Sequence, residues 1–306
     1  MNAQKTLLRY EAIPLVTSKR AWLFAVALVG EYYLILYLTP SGRHNIIQSQ
    51  LGAAYVVTYL HGAGLVVAIG TILLSYRAIA EKRLNGQLVT TAAMPLTRGE
   101  LFAGKIVGRT VGIATLVASA SIVVFVVESL RYGGFAISSF LVTLSLVVLY
   151  VFTLVTISIS VSAVIVHPRR VIAVLLGVYF LLLDFFWHEG LAIRLYTFLS
   201  GRSVVPTDPP ASGPLFGIHR ATPTGATNTL INWSLGTANS DGFPNSALYE
   251  AQSSGSIWYV FVVDNTFEGQ HVPWYLHESF ALVILAAWIV VPGVIGYVFF
   301  ARRDLT

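Results

Sequence analysis

The chain contains no cysteine, which excludes disulfides, thiolate metal centres and cysteine redox chemistry. Its only methionines are Met1 and Met94, so the soft sulfur ligands that suit copper are missing too. Charge is scarce: 11% of the 306 residues are Asp, Glu, Lys or Arg, against about 25% in soluble domains. Lysine is nearly absent, four residues against fifteen arginines, a bias that hints at a GC-rich prokaryotic source. None of the seven histidines shows HExxH or comparable local spacing, so no metal site is expected. No Ser-His-Asp or paired-acid arrangement can be read either, and the chain is expected not to be an enzyme.

What fills the space is apolar. Hydrophobic residues make up 56% and mean hydropathy is +0.73. A membrane span needs roughly 20 apolar residues, and six segments qualify: Ala21–Thr39, Gly52–Ile79, Lys105–Val127, Phe135–Val166, Val171–Trp187 and Ser279–Ala301. The first follows a basic lead without a small-residue cleavage site, and reads as a retained helix rather than a signal peptide. With a cytosolic N-terminus, the inner segments collect fourteen basic residues and the outer ones five (Arg43, Arg131, Arg194, Arg202, Arg220). This is a positive-inside pattern with both termini inside. The net charge of +5 is then an inner-leaflet signature that faces membrane lipid, not nucleic acid.

The expected fold is therefore an all-α membrane protein of six spans: residues 1–20 a cytosolic segment, 21–188 spans one to five, 189–277 a large outer loop, and 278–306 span six with a tail. Within the outer loop, Thr222–Leu235 has the form of an interfacial helix with Pro223 in its first turn. Ser256–Val263 reads either as a strand or as a segment dipping at the membrane surface. Asn232-Trp233-Ser234 fits a glycosylation sequon.

One cytosolic stretch departs from this uniform pattern, EKRLNGQLVTTAAMPLTRGELFAGKIVG from Glu81 to Gly108. Gly86 suits a left-handed helix cap. Gln87–Met94 has room for about two helical turns before Pro95 ends them. Thr97-Arg98-Gly99-Glu100 is a capping box that starts the next helix. Local physics leaves two readings open, an ordinary connecting loop and a docking surface. Gly99 to Lys105 also satisfies seven positions of a nucleotide-binding P-loop, but Ile106 stands where Mg²⁺ needs Ser or Thr, and no strand precedes it. The chain itself is not expected to bind ATP.

Further along, Gly104, Gly108 and Gly112 form a tandem GxxxG, which permits close helix packing within the subunit or across a dimer seam. Glu31 and Asp184 are ionisable groups at membrane depth; such groups are costly there and mark either a transport pathway or a hydrogen-bonded structural role.

The stretch from Glu81 resembles the first intracellular loop of ABC-2 type transporter permeases, the membrane subunits of ABC exporters, through Glu81, Gly86-Gln87-Leu88, Pro95, Arg98, Glu100 and Gly104-Lys105. The lead LLRYEAIPLVTSKRAW is similar to that family's amphipathic elbow helix, with Pro14 expected to interrupt it. The chain departs from the family pattern at Arg83-Leu84-Asn85, where a second acid is usual, and at Thr90-Thr91-Ala92-Ala93, where leucines are usual. The resemblance implies that residues 80–101 form a coupling loop for a separate ATPase subunit, which carries ATP and Mg²⁺. It further implies that a second permease copy, or a homologue, completes the pathway. Glu81, Gly86, Leu88, Met94, Pro95, Arg98, Glu100 and Lys105 would be the ATPase-coupling residues. An ion-coupled secondary transporter using Glu31 or Asp184, and a non-transporting protein with a binding outer loop, are the alternatives.

Overall fold

The computed structural model describes residues 3–60, 64–86, 96–183, 187–252 and 260–302. These are overwhelmingly helical, with no strand among them. Among the described residues, four helices are long and apolar enough to cross a membrane: α2 (Lys19–Leu38), α6 (Arg98–Tyr132), α7 (Ile137–Val164) and α14 (Phe280–Arg302). They extend or trim the expected first, third, fourth and sixth segments.

Local chemistry sets their ends. Thr97 caps α6 by accepting from Glu100 N at 3.2 Å while Glu100 accepts from Thr97 N at 2.8 Å, the reciprocal box read in the sequence. Gly133, at φ 78, ends α6 in a left-handed cap that a side chain would strain. α7 carries no charge along 28 residues and stops at Ile165, short of Pro168, because the residues before a proline avoid the helical region.

The second and fifth apolar segments are not continuous helices. Gly52, at φ 50, diverts the second into a 3₁₀ turn over Gly52–Tyr59. Helix α4 then covers only Leu65–Ser75, about 16 Å at 1.5 Å per residue. The fifth splits into α8 (Pro168–Val178) and a π-helical stretch Tyr179–Leu183, and Asp184 lies outside the described residues. Wide π turns and Gly52 each interrupt the regular backbone ladder, which a count of apolar residues does not register.

Residues 189–277 are more than a loop. They hold α9 (Ala192–Ser200), α10 (Gly213–His219), α11 (Pro223–Leu235), α12 (Pro244–Gln252) and the short α13 (Val263–Thr266). The helix expected over Thr222–Leu235 forms as α11, capped by Thr222, and is inserted between α7 and α14. Its Thr224 hydroxyl meets Tyr150 OH at 3.0 Å, and Ala221 O accepts from Trp288 Nε1 at 2.8 Å. Tyr150 stands thirteen residues inside α7, about 20 Å along the helix, so this segment re-enters the bundle. Apolar packing of Ala226 and Leu230 on Ala281 and Leu285 fixes it there.

The polar side of α11 is satisfied internally. Asn232 is fully buried and donates to Ser240 O at 2.7 Å and Gly242 O at 2.8 Å, while its Oδ1 accepts from Thr237. The sequon asparagine is thus a structural residue of the folded state. Of Ser256–Val263, residues 256–259 lie outside the described residues, and Val262 forms one isolated bridge with Ser240 rather than a strand. Expression in a glycosylating host should add no glycan mass at Asn232, and Asn232→Ala should cost about 1–3 kcal/mol by orphaning two buried carbonyls. Intact mass and melting midpoints in detergent check both.

Candidate coupling joint

Helix α1 (Ala3–Val16) runs through Pro14 without a break. Pro14 sits in the last turn, where its missing N–H forfeits a single bond near a helix end. Two side chains serve carbonyls there: Thr17 Oγ1 donates to Ile13 O and Trp22 Nε1 to Val16 O. The expectation that Pro14 interrupts the elbow therefore does not hold.

α1 packs lengthwise and in parallel on the first turns of α6, and the three glycines are the seam. A Cβ on Gly104 would strike the Leu7 side chain; one on Gly108 would stand 2.8 Å from Glu11 Cβ and 3.2 Å from Leu8 O; one on Gly112 would stand 3.2 Å from Ala12 O. The tandem GxxxG therefore serves packing within this chain, because only glycine lets the two backbones approach so closely.

That approach carries Glu11, 3% exposed, into the bundle. Lys82 Nζ and Lys105 Nζ both donate to its Oε1, at 2.6 and 2.8 Å, and Arg109 Nε donates to Oε2 at 3.3 Å. Arg109 also donates to Leu74 O, one of the carbonyls left without an intrahelical partner at the end of α4. Lys82 belongs to α5 (Ala80–Leu84) and stands 4.7 Å from the Tyr10 ring centroid. One carboxylate thus ties α1 to the entry root of residues 80–101 (α5) and to their exit root (α6). Burial pushes the Glu11 carboxyl up, but Lys105, Arg109 and Lys82, with the Lys105 hydrogen bond, outweigh it and hold the group at about 2.

Further polar contacts brace the same end. Ser162 Oγ, near the end of α7, accepts from Ala80 N at 3.0 Å and donates to Tyr76 O at 2.9 Å, bridging the break between α4 and α5. Gln4 donates to Glu100 at 2.9 Å, and Arg98 donates to Ala301 O on α14.

The sequence-derived residues divide accordingly. Glu81 is exposed and pairs with Arg77 at 3.4 Å across one helical turn, a surface contact worth little in stability. Gly86 takes φ 68 just past α5, as a left-handed cap requires. Arg98 and Glu100 lie at the start of α6, whereas Leu88, Met94 and Pro95 lie outside the described residues. Lys105 is fully buried, so it positions the joint and offers no surface to a partner. Glu31 caps α4 by accepting from Val66 N at 3.1 Å, and with Arg43 lines a cavity of about 290 Å³. Glu11, Lys82, Arg109 and Ser162 were missed by motif reading. The available signal was that Glu11 is the sole acid among the first twenty residues.

A family described as ABC-2 family transporter protein matches residues 6–305. The chain belongs to this family. No curated protein matches it. An ABC-2 permease is the membrane component of an ABC transporter and is not itself catalytic, so a structural joint, rather than a reaction centre, is the kind of site to expect.

Glu11→Gln leaves the buried Lys105 uncompensated and should destabilise the protein by about 3–5 kcal/mol. The folded-state value lies below the ordinary 4.5, so this contribution is complete above about pH 4.5 and fades as pH falls toward 2. The melting-midpoint difference between the parent and Glu11→Gln should accordingly stay constant between pH 5 and 8 and shrink below about pH 4.5. Gly108→Val should detach α1 by a backbone clash, seen as faster proteolysis before residue 17 and a loss of about 1–3 kcal/mol.

Proposed function

We propose that this ABC-2 permease is a subunit of an ATP-driven exporter in the plasma membrane of a prokaryote, with six crossings and both termini cytosolic. Two of the crossings are the broken segments around α4 and α8. A separate ATPase subunit binds ATP and Mg²⁺ and docks on residues 80–101, with Glu81, Arg98 and Glu100 as polar contacts and Leu88 and Met94 as apolar ones. The observation that supports this reading is the Glu11 joint. A docked partner can move a bundle only if the segment it pushes is rigidly rooted, and both roots of residues 80–101 converge on one buried carboxylate.

A second copy or a homologous permease completes the pathway. α14 supports this: one side packs on α7 through Gly293 and Gly296, while Val283, Val290, Val291, Val294 and Ile295 remain exposed for lipid or the second subunit.

The test is an affinity pull-down from detergent-solubilised native membranes with an ATP hydrolysis assay. A stoichiometric P-loop ATPase should co-purify, and Met94→Asp should abolish its binding or its stimulated hydrolysis while membrane insertion stays intact. Normal complex formation and full activity in Met94→Asp would refute the docking assignment. Reproducible absence of any ATPase would refute the exporter reading.

A further inference from the structure

The fold brings together three side chains that the sequence keeps far apart: His188, His219 and Asp241. His188 lies in the π-helical stretch Trp187–Leu191, His219 ends α10, and Asp241 lies in the turn beyond α11. One ligand atom from each lies within 4.8 Å of the other two. His219 Nδ1 is 2.6 Å from Asp241 Oδ2, and His188 Nε2 is 3.7 Å from the same oxygen. We propose that these residues form a binding site for a divalent transition metal of the Zn²⁺ type, with His188 Nε2, His219 Nδ1 and the Asp241 carboxylate as ligands and water completing the shell.

The donor set suits such an ion. Two imidazoles and one carboxylate are common zinc ligands, at about 2.0–2.2 Å from the metal. Tetrahedral ligands at that distance are about 3.3 Å apart, so the present 2.6 and 3.7 Å separations and a third of no more than 4.8 Å need shifts of up to about 1.5 Å. Binding displaces the hydrogen bond between His219 Nδ1 and Asp241 Oδ2.

The neighbouring cation does not compete for the carboxylate. The buried Arg220 guanidinium next to His219 feels three acids, Asp241, Glu278 and Asp264. Its hydrogen bonds go to neutral acceptors, Asn239 Oδ1 at 3.1 Å and Leu276 O at 2.9 Å. Arg220 thus makes no hydrogen bond to Asp241 among the described residues, and the Asp241 Oδ2 faces the two imidazoles. His219 Nε2, buried, has no hydrogen-bond partner among the described residues, and Nδ1 is taken up by the proposed co-ligand Asp241. His188, about one-fifth exposed, is reachable from solvent.

The metal would join the end of the fifth apolar segment to the end of α10 and to the turn beyond α11. Its binding energy would then help hold α11 in the bundle.

The experiment uses untagged full-length protein, purified in detergent and stripped with chelator. Titration with Zn²⁺ by calorimetry should find one equivalent bound per chain, and Co²⁺ should give visible absorption bands of four- or five-coordinate metal. X-ray absorption on the Zn²⁺ form should count two imidazole ligands. His188→Gln and His219→Gln should each weaken Zn²⁺ binding at least tenfold, whereas His271→Gln should not. His188→Gln alters a partly exposed ring, and its metal-free melting midpoint should match that of the parent. Absence of saturable uptake, or wild-type affinity in the His188→Gln, His219→Gln double variant, would overturn the proposal. The X-ray absorption count does so independently if it finds fewer than two imidazoles.

Discussion

A carboxylate cut off from water does not remain ionised without partners, and the arrangement of one end of this protein follows from supplying them to Glu11. Lys105 and Arg109 can reach it only if α1 lies against α6 without intervening side chains, and the glycines at 104, 108 and 112 make that possible. Lys82 can reach it only if α5 turns back beneath α4, and Ser162 holds that turn. Arg109 then spends its remaining reach on Leu74 O and secures α4. Five helices are positioned by a chain of requirements that starts with one charge.

The opposite part of the molecule solves a different problem by similar means. A helix as polar as α11 is costly inside an apolar bundle unless each amide and hydroxyl is matched. Asn228, Asn232, Thr227 and Thr229 all find carbonyls. The result is a polar layer between apolar helices, and the His188–His219–Asp241 cluster stands at its edge. The two ends of the bundle therefore differ in kind, one joined by ion pairs among helix ends, the other by a buried amide network.

Much of this was legible before any coordinates. The long apolar runs gave α2, α6, α7 and α14 because an apolar stretch of that length has few alternatives. The Thr97–Glu100 box and the Gly86 cap are local chemistry, read directly from adjacent residues. What the sequence concealed was non-local. Residue counting joined the Gly52 turn and α4 into one span, because hydropathy does not record backbone dihedrals. Glu11 looked like an ordinary acid in a basic lead, since its partners lie 71, 94 and 98 positions away. His219 and Asp241 are 22 residues apart with a helix between them, a separation that no local metal-ligand pattern covers.

The parallel seam of α1 on α6 also sets an order of events during synthesis. Glu11 leaves the ribosome long before Lys105 and Arg109 exist. At about 5–20 residues per second, the first helix waits on the order of 5–20 seconds for the groove that receives it. During that interval its carboxylate must stay hydrated, which keeps α1 out of the lipid and leaves the hydrophobic α2 to initiate insertion. Docking of α1 is consequently a late step, completed only after the third apolar segment is in place, and the N-terminus closes a bundle that it does not begin.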